Sequence, residues 1–159
     1  MPTTFDVEGR RFSFRVACVA LRNGQVLLHQ PVGAGYWTLP GGRPELGEGS
    51  RNALIRELHE ELHTEAEVDR LLWIVEAFFD FEGTAWHEVS LVFLCRLPPD
   101  SAAMVATKPF EDFEGGQRLL FDWVALDELP QRTVYPKFLA AGLRTLPTAT
   151  LHVVEGDSG

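Results

Sequence analysis

The chain has 159 residues, 45% hydrophobic and 23% charged. These are ordinary globular values, and a chain this long buries roughly two thirds of its unfolded surface without needing a disulfide or structural metal. Its net charge of −9 speaks against extended nucleic acid or an anionic membrane as a partner, since both are held by basic patches. A phosphate-bearing ligand would need its repulsion offset, and a bound divalent cation is one way to do that.

In chain order, residues 1–11 are polar and read as an edge or a loose arm. Residues 12–21 (FSFRVACVAL) and 25–29 (QVLLH) are rich in β-formers, and Asn23-Gly24 between them is a strong hairpin signal. Residues 31–35 form a loop, 36–39 a short strand ending at Pro40, and 41–49 a glycine-rich loop. A helix follows, with Gly49 or Ser50 as N-cap and Ile55, Leu58 and Leu62 as an apolar stripe for docking on a sheet.

Residues 71–81 and 88–97 read as two longer strands joined by a turn at 82–85. Residues 98–117 form a long acidic loop, a length that signals function or mobility in a compact domain. Residues 118–126 are another strand, 127–129 a short helical turn, and Pro136 opens a helix running to about residue 144. Residues 155–159 look like a frayed tail. Strands gathered around two helices predict an α/β protein, with a mixed central β-sheet in an α/β/α layer arrangement. Cys18 and Cys95 lie in apolar strand segments and read as small buried hydrophobes. No basic, apolar leader and no run of about 18 apolar residues is visible. The expectation is a soluble, cytoplasmic protein away from the membrane.

Residues 39–64 (LPGGRPELGEGSRNALIRELHEELHT) concentrate the chemistry. At 100° per residue, Glu57, Glu60 and Glu61 fall within an arc of about 100° on one helix face. Glu57 and Glu61 are a like-charge i,i+4 pair, which costs an isolated helix roughly 0.2–0.5 kcal/mol. A cation between them reverses that sign, and hard oxygen ligands suit Mg²⁺ or Mn²⁺. A rival motif overlaps it. His59-Glu60-Glu61-Leu62-His63 spells H-E-x-x-H, the zinc metallopeptidase helix, with Glu60 as base and Glu76 as a candidate third ligand. The histidines point about 160–200° from the Glu57/Glu61 pair, so one face must be chosen, and the acidic face is preferred. A P-loop is excluded because Glu48-Gly49 stand where Lys and Ser/Thr are required.

The stretch resembles the signature box of the Nudix hydrolase family. Gly42, Glu48, Arg56, Glu57, Leu58, Glu60 and Glu61 fall on it in register, and Trp37-Thr38-Leu39-Pro40-Gly41-Gly42 resembles its lead-in. His63 departs from the box, standing where the family has glycine, and Thr64 stands where it has an apolar residue. The resemblance implies one Nudix-type α/β/α sandwich domain over residues 1–159, with 1–11 and 155–159 as loose termini. It also implies a metal-dependent hydrolase that cleaves a pyrophosphate bond in a nucleoside diphosphate linked to another moiety.

Carried over by position, Glu57 and Glu61 would be the main Mg²⁺ or Mn²⁺ ligands, Glu60 a further or water-mediated one, and the Gly41 carbonyl a backbone ligand. Glu48 would support the loop, and Arg56 would orient the carboxylates. Glu61 is the first choice of general base, with Glu88, Glu111, Asp112 and Glu114 as alternatives. Arg43, Trp37 and Gly42 are the candidate substrate contacts. Tyr36, Phe81 and Trp86 could stack on a base, although strand aromatics more often pack in a core. The implied partner is a small nucleotide-type substrate, and homodimers are common in the family. The rival readings are a Nudix-fold nucleotide-binding or regulatory module without turnover, and the zinc peptidase.

Overall fold

The computed structural model describes residues 1–156. The strands are β1 (Thr4–Val7), β2 (Arg10–Arg22), β3 (Gln25–Pro31), β4 (Gly41–Gly42), β5 (Glu67–Phe81), β6 (Thr84–Arg96), β7 (Phe110–Glu114), β8 (Gln117–Ala125) and β9 (Leu151–Glu155). The helices are α1 (Ser50–Leu62), α2 (Ala102–Val105) and α3 (Leu139–Gly142), with a 3₁₀ turn over Leu126–Gln131. Among the described residues the strands form one open, mixed sheet in the order β7-β8-β3-β2-β6-β5-β9, and β1 and β4 add to β2. The parallel pairs are β2–β6 and β5–β9.

Local chemistry sets this path. Asn23-Gly24 and Glu82-Gly83 carry positive φ at both positions, the geometry whose twist matches a two-residue hairpin. Each sheet face is covered. On one side Leu54, Leu58 and Leu62 of α1, with Ala53, pack on Val16, Cys18, Ala20, Leu27 and Phe93. On the other, Leu129, Leu139 and Leu143 pack on Ala17, Val19, Leu28, Trp73 and Val75. Burying a leucine such as Leu58 (0% exposed) contributes about 1.5–3 kcal/mol. This is the mixed-sheet α/β/α arrangement that the sequence predicts. Cys18 and Cys95 are free and buried, as read.

Several elements differ from the reading. Residues 1–11 take the edge form of the two read for them and not the loose one, with Phe5 paired to Phe12 across the Glu8-Gly9 turn. Ile55 is only half-buried, and Leu54 takes its place in the docking stripe. Residues 36–39 make only isolated bridges, His29 to Thr38 and Trp37 to Val134. The long acidic segment is not a structureless loop: it holds α2 and β7, and β7 forms a hairpin with β8 across Gly115-Gly116. The C-terminal helix is the short α3. Residues 151–155 form β9 beside β5. Of the expected tail at 155–159, residues 157–159 lie outside the described residues. No helix among them is long and apolar enough to cross a membrane.

Candidate metal centre

The glycine loop reaches the sheet through β4, where Gly41 and Gly42 pair with Ala17 and Val16 of β2. A side chain at Gly41 would collide with backbone, and one at Gly42 would have to displace a carboxyl group. A Cβ on Gly41 would overlap the Val16 carbonyl oxygen, and one on Gly42 would overlap the Glu57 carboxyl group. The second overlap matters for the site, because it shows that bare backbone lies directly against a helix carboxylate.

Glu57 and Glu61 are one turn apart on α1, on the flank of its docked face, and are 6% and 0% exposed. The β7 hairpin adds Glu114. One carboxylate oxygen from each of the three lies within 4.8 Å of the others. Among the described residues, Glu57 Oε2 and both Glu61 oxygens have no hydrogen-bond partner. A buried, unpaired carboxylate is costly, so it either keeps its proton or binds a cation. Burial first, and then Glu114, push the Glu57 carboxyl up to about 7, while Arg56 opposes the rise. Burial, reinforced by Glu114 and Glu57, raises Glu61 well above the usual carboxylate range, against the pull of Arg15. Three convergent oxygen donors with unsatisfied lone pairs fit a hard divalent ion such as Mg²⁺ or Mn²⁺.

Arg56 connects loop and helix. It donates to both Glu48 oxygens at 2.8 Å, to Glu57 Oε1 at 3.0 Å and to Glu60 at 3.4 Å. Its guanidinium holds Glu48 down at about 2, and Glu48 Oε2 also accepts the Glu45 backbone N–H at 2.9 Å. Glu60 is half exposed and lies on the solvent side of Arg56, outside the three-carboxylate cluster.

The other candidates separate by position. Among Glu88, Glu111, Asp112 and Glu114, only Glu114 joins the cluster. Glu111 pairs with Arg118 at 2.6 Å, and Asp112 lies 2.8 Å from His63. Glu88 sits opposite Ser13 in the β2–β6 register. Arg43 Nε donates to Ser13 Oγ at 2.8 Å, and its guanidinium lies 5.6 Å from the Trp86 ring centre. Trp37 packs into the core on the sheet face away from α1, beneath Arg132. Among the described residues the H-E-x-x-H histidines form no ligand group: His59 and His63 face Glu65 and Asp112, and Glu76 pairs with His152 across β5 and β9. His29, which with Gln30 stands where the family resemblance implies a basic residue, was not read as a neighbour of the carboxylates. His29 is buried with Nδ1 3.9 Å from Glu61 Oε1, and burial, aided by Arg15, holds it neutral at about 3. Its only signal was a polar residue closing the apolar run Val26-Leu27-Leu28.

A family model for the NUDIX domain matches residues 11–142. Over 57 residues the chain is 46% identical to CTP pyrophosphohydrolase of Escherichia coli (strain K12), covering 33% of this chain and 42% of that relative, less than half its length. Among solved structures, a MutT NUDIX hydrolase from Burkholderia pseudomallei is 29% identical with a TM-score of 0.57, covering 84% of this chain and 99% of its own. An ADP-ribose pyrophosphatase from Streptococcus suis has a TM-score of 0.60 over 87% of this chain and 97% of its own. At 17% identity it is a likeness of fold alone.

Proposed function

The chain belongs to the NUDIX domain family, and we propose that it is a metal-dependent pyrophosphohydrolase acting on a nucleoside diphosphate linked to another moiety. One observation carries the reading: Glu57, Glu61 and Glu114 converge with buried, unpartnered oxygens beside the box glycines. A regulatory module without turnover has no need of such a set, because aligned buried carboxylates lower stability unless a cation uses them.

Glu57, Glu61 and Glu114 would hold the ion, Mg²⁺ or Mn²⁺, with the Gly41 carbonyl as backbone donor and Glu60 acting through water from the solvent side. When bound, the ion would neutralise phosphate oxygens and acidify a water molecule. The chain supplies the rest. Gly42 leaves room for the Glu57 carboxyl to lie against the loop. Arg56 orients that carboxyl, and Glu48 orients Arg56. Arg43, beside the loop, is placed to meet a phosphate. Glu61 takes the proton of the attacking water as its oxygen bonds to phosphorus and the anhydride P–O bond breaks, the leaving phosphate carrying away the electron pair. CTP pyrophosphohydrolase among the relatives supports a nucleotide pyrophosphate as the substrate class. The test is Mg²⁺-dependent turnover on nucleoside triphosphates, nucleotide sugars, dinucleoside polyphosphates and ADP-ribose, with chelated samples as controls. Cleavage of none of them would remove the hydrolase reading.

A further inference from the structure

Resting on the metal reading above, we infer that His63 and Asp112 are positioning residues: together they clamp β7 to α1 so that Glu114 is held in the ligand cluster. His63 ends α1 in the left-handed conformation, φ 53° and ψ 39°, with its backbone N–H on the His59 carbonyl. Glycine takes that conformation freely, whereas a side chain is strained there. The strain brings a contact that glycine cannot make, His63 Nε2 lying 2.8 Å from Asp112 Oδ2.

The location of that contact gives it meaning. On β7, Phe110, Asp112 and Glu114 are the half-buried positions, and Glu111 and Phe113 are exposed. Asp112 and Glu114 therefore share the face turned to α1. Among the described residues β7 is the last strand of the sheet, with β8 as its one ladder partner. At its start Phe110 stacks on Phe121 at 5.2 Å. At its end Glu114 meets Glu57 and Glu61, and nothing in the β7–β8 ladder itself ties that end of β7 to α1. Midway, His63 supplies such a tie. A protein that holds its three ligands together before the cation arrives binds it more tightly than one that must gather them.

With His63 exposed and Asp112 only half-buried, the pair is worth little to global stability, so the clamp separates metal affinity from stability. The experiment titrates Mn²⁺ into metal-free full-length protein, reads free ion by electron paramagnetic resonance, and records thermal melting alongside. Asp112→Ala and His63→Gly should each weaken Mn²⁺ binding about two- to fivefold. The double variant should bind no more weakly than the weaker single variant, because both lesions open the same contact. His63→Gly should melt no lower than wild type, since it relieves the left-handed strain. Wild-type Mn²⁺ affinity in His63→Gly, or losses that multiply in the double variant, would overturn the clamp. Glu61→Gln tells the two levels apart. If it binds Mn²⁺ like wild type, the metal site itself fails and the clamp with it. If it loses binding while His63→Gly keeps it, the clamp alone fails.

Discussion

Arg56 grips Glu48 through two hydrogen bonds of 2.8 Å each, one from Nε and one from Nη2. One residue belongs to the glycine loop and the other to α1, so the fork fixes the loop against the helix that bears the carboxylates. Lysine is a point donor and cannot form that fork. Arg56→Lys should destabilise the protein by about 1–3 kcal/mol and raise the Mg²⁺ concentration needed for half-maximal turnover. Denaturant midpoints and a Mg²⁺ titration of activity check both. An unchanged Mg²⁺ requirement would remove Arg56 from the positioning of Glu57.

Gly42→Ala places a methyl group where the Glu57 carboxyl lies. Displacing a ligand by about an ångström costs on the order of 100-fold in rate. Turnover should fall by that order, with the circular dichroism of the fold retained. Near wild-type activity would mean that Glu57 has another productive position.

Glu60 and Glu114 exchange importance between sequence and structure. Glu60 belongs to the box, but it is half exposed beyond Arg56. Glu114 lies on a hairpin outside the box and joins the buried cluster. Glu114→Gln should therefore weaken Mn²⁺ binding and turnover more than Glu60→Gln does, as measured by calorimetric titration and steady-state kinetics. The reverse order would return the third ligand to the helix.

Stability of the metal-free protein should fall as pH rises from about 4.5 to 7. In that window an unfolded Glu57 has released its proton, while the folded one, raised to about 7, retains it. The native state then binds more protons, so alkali favours unfolding, by on the order of a few kcal/mol. Glu61 is raised as well and adds the same sign. Glu48 has the opposite sign: held at about 2 by Arg56, it contributes stability above its unfolded value that is lost as pH falls toward 2. Urea midpoints in chelator at pH 5 and pH 8 test this. The midpoint should be lower at pH 8, and saturating Mg²⁺ should abolish the difference. A higher midpoint at pH 8 in chelator would contradict the buried, cation-free carboxylates.

The box and the helix register were legible because they are local. Gly42, Glu48, Arg56, Glu57 and Glu61 follow one another at spacings that a loop and a helix impose. The mixed sheet was legible through its β-rich runs and the Asn23-Gly24 turn. Glu114 as a cluster member was not, since its approach depends on β7 pairing with β8 at the end of the sheet and meeting α1 there. The alternation of Phe110, Asp112 and Glu114 before Gly115-Gly116 did carry that hairpin, hidden by acidic residues that read as loop. β9 was missed because it pairs with β5 across a long sequence separation. His63 read as a defect in the box. It keeps the left-handed exit that glycine would have taken and adds a contact to β7.

The central claim is that the buried carboxylates of α1 carry metal-dependent hydrolysis, and Glu61→Gln tests it most directly. With Mg²⁺ and the panel of nucleoside diphosphate derivatives, the wild-type protein should cleave at least one, and Glu61→Gln should lose on the order of 100-fold or more in turnover while remaining folded. Equal turnover in the two proteins would contradict it.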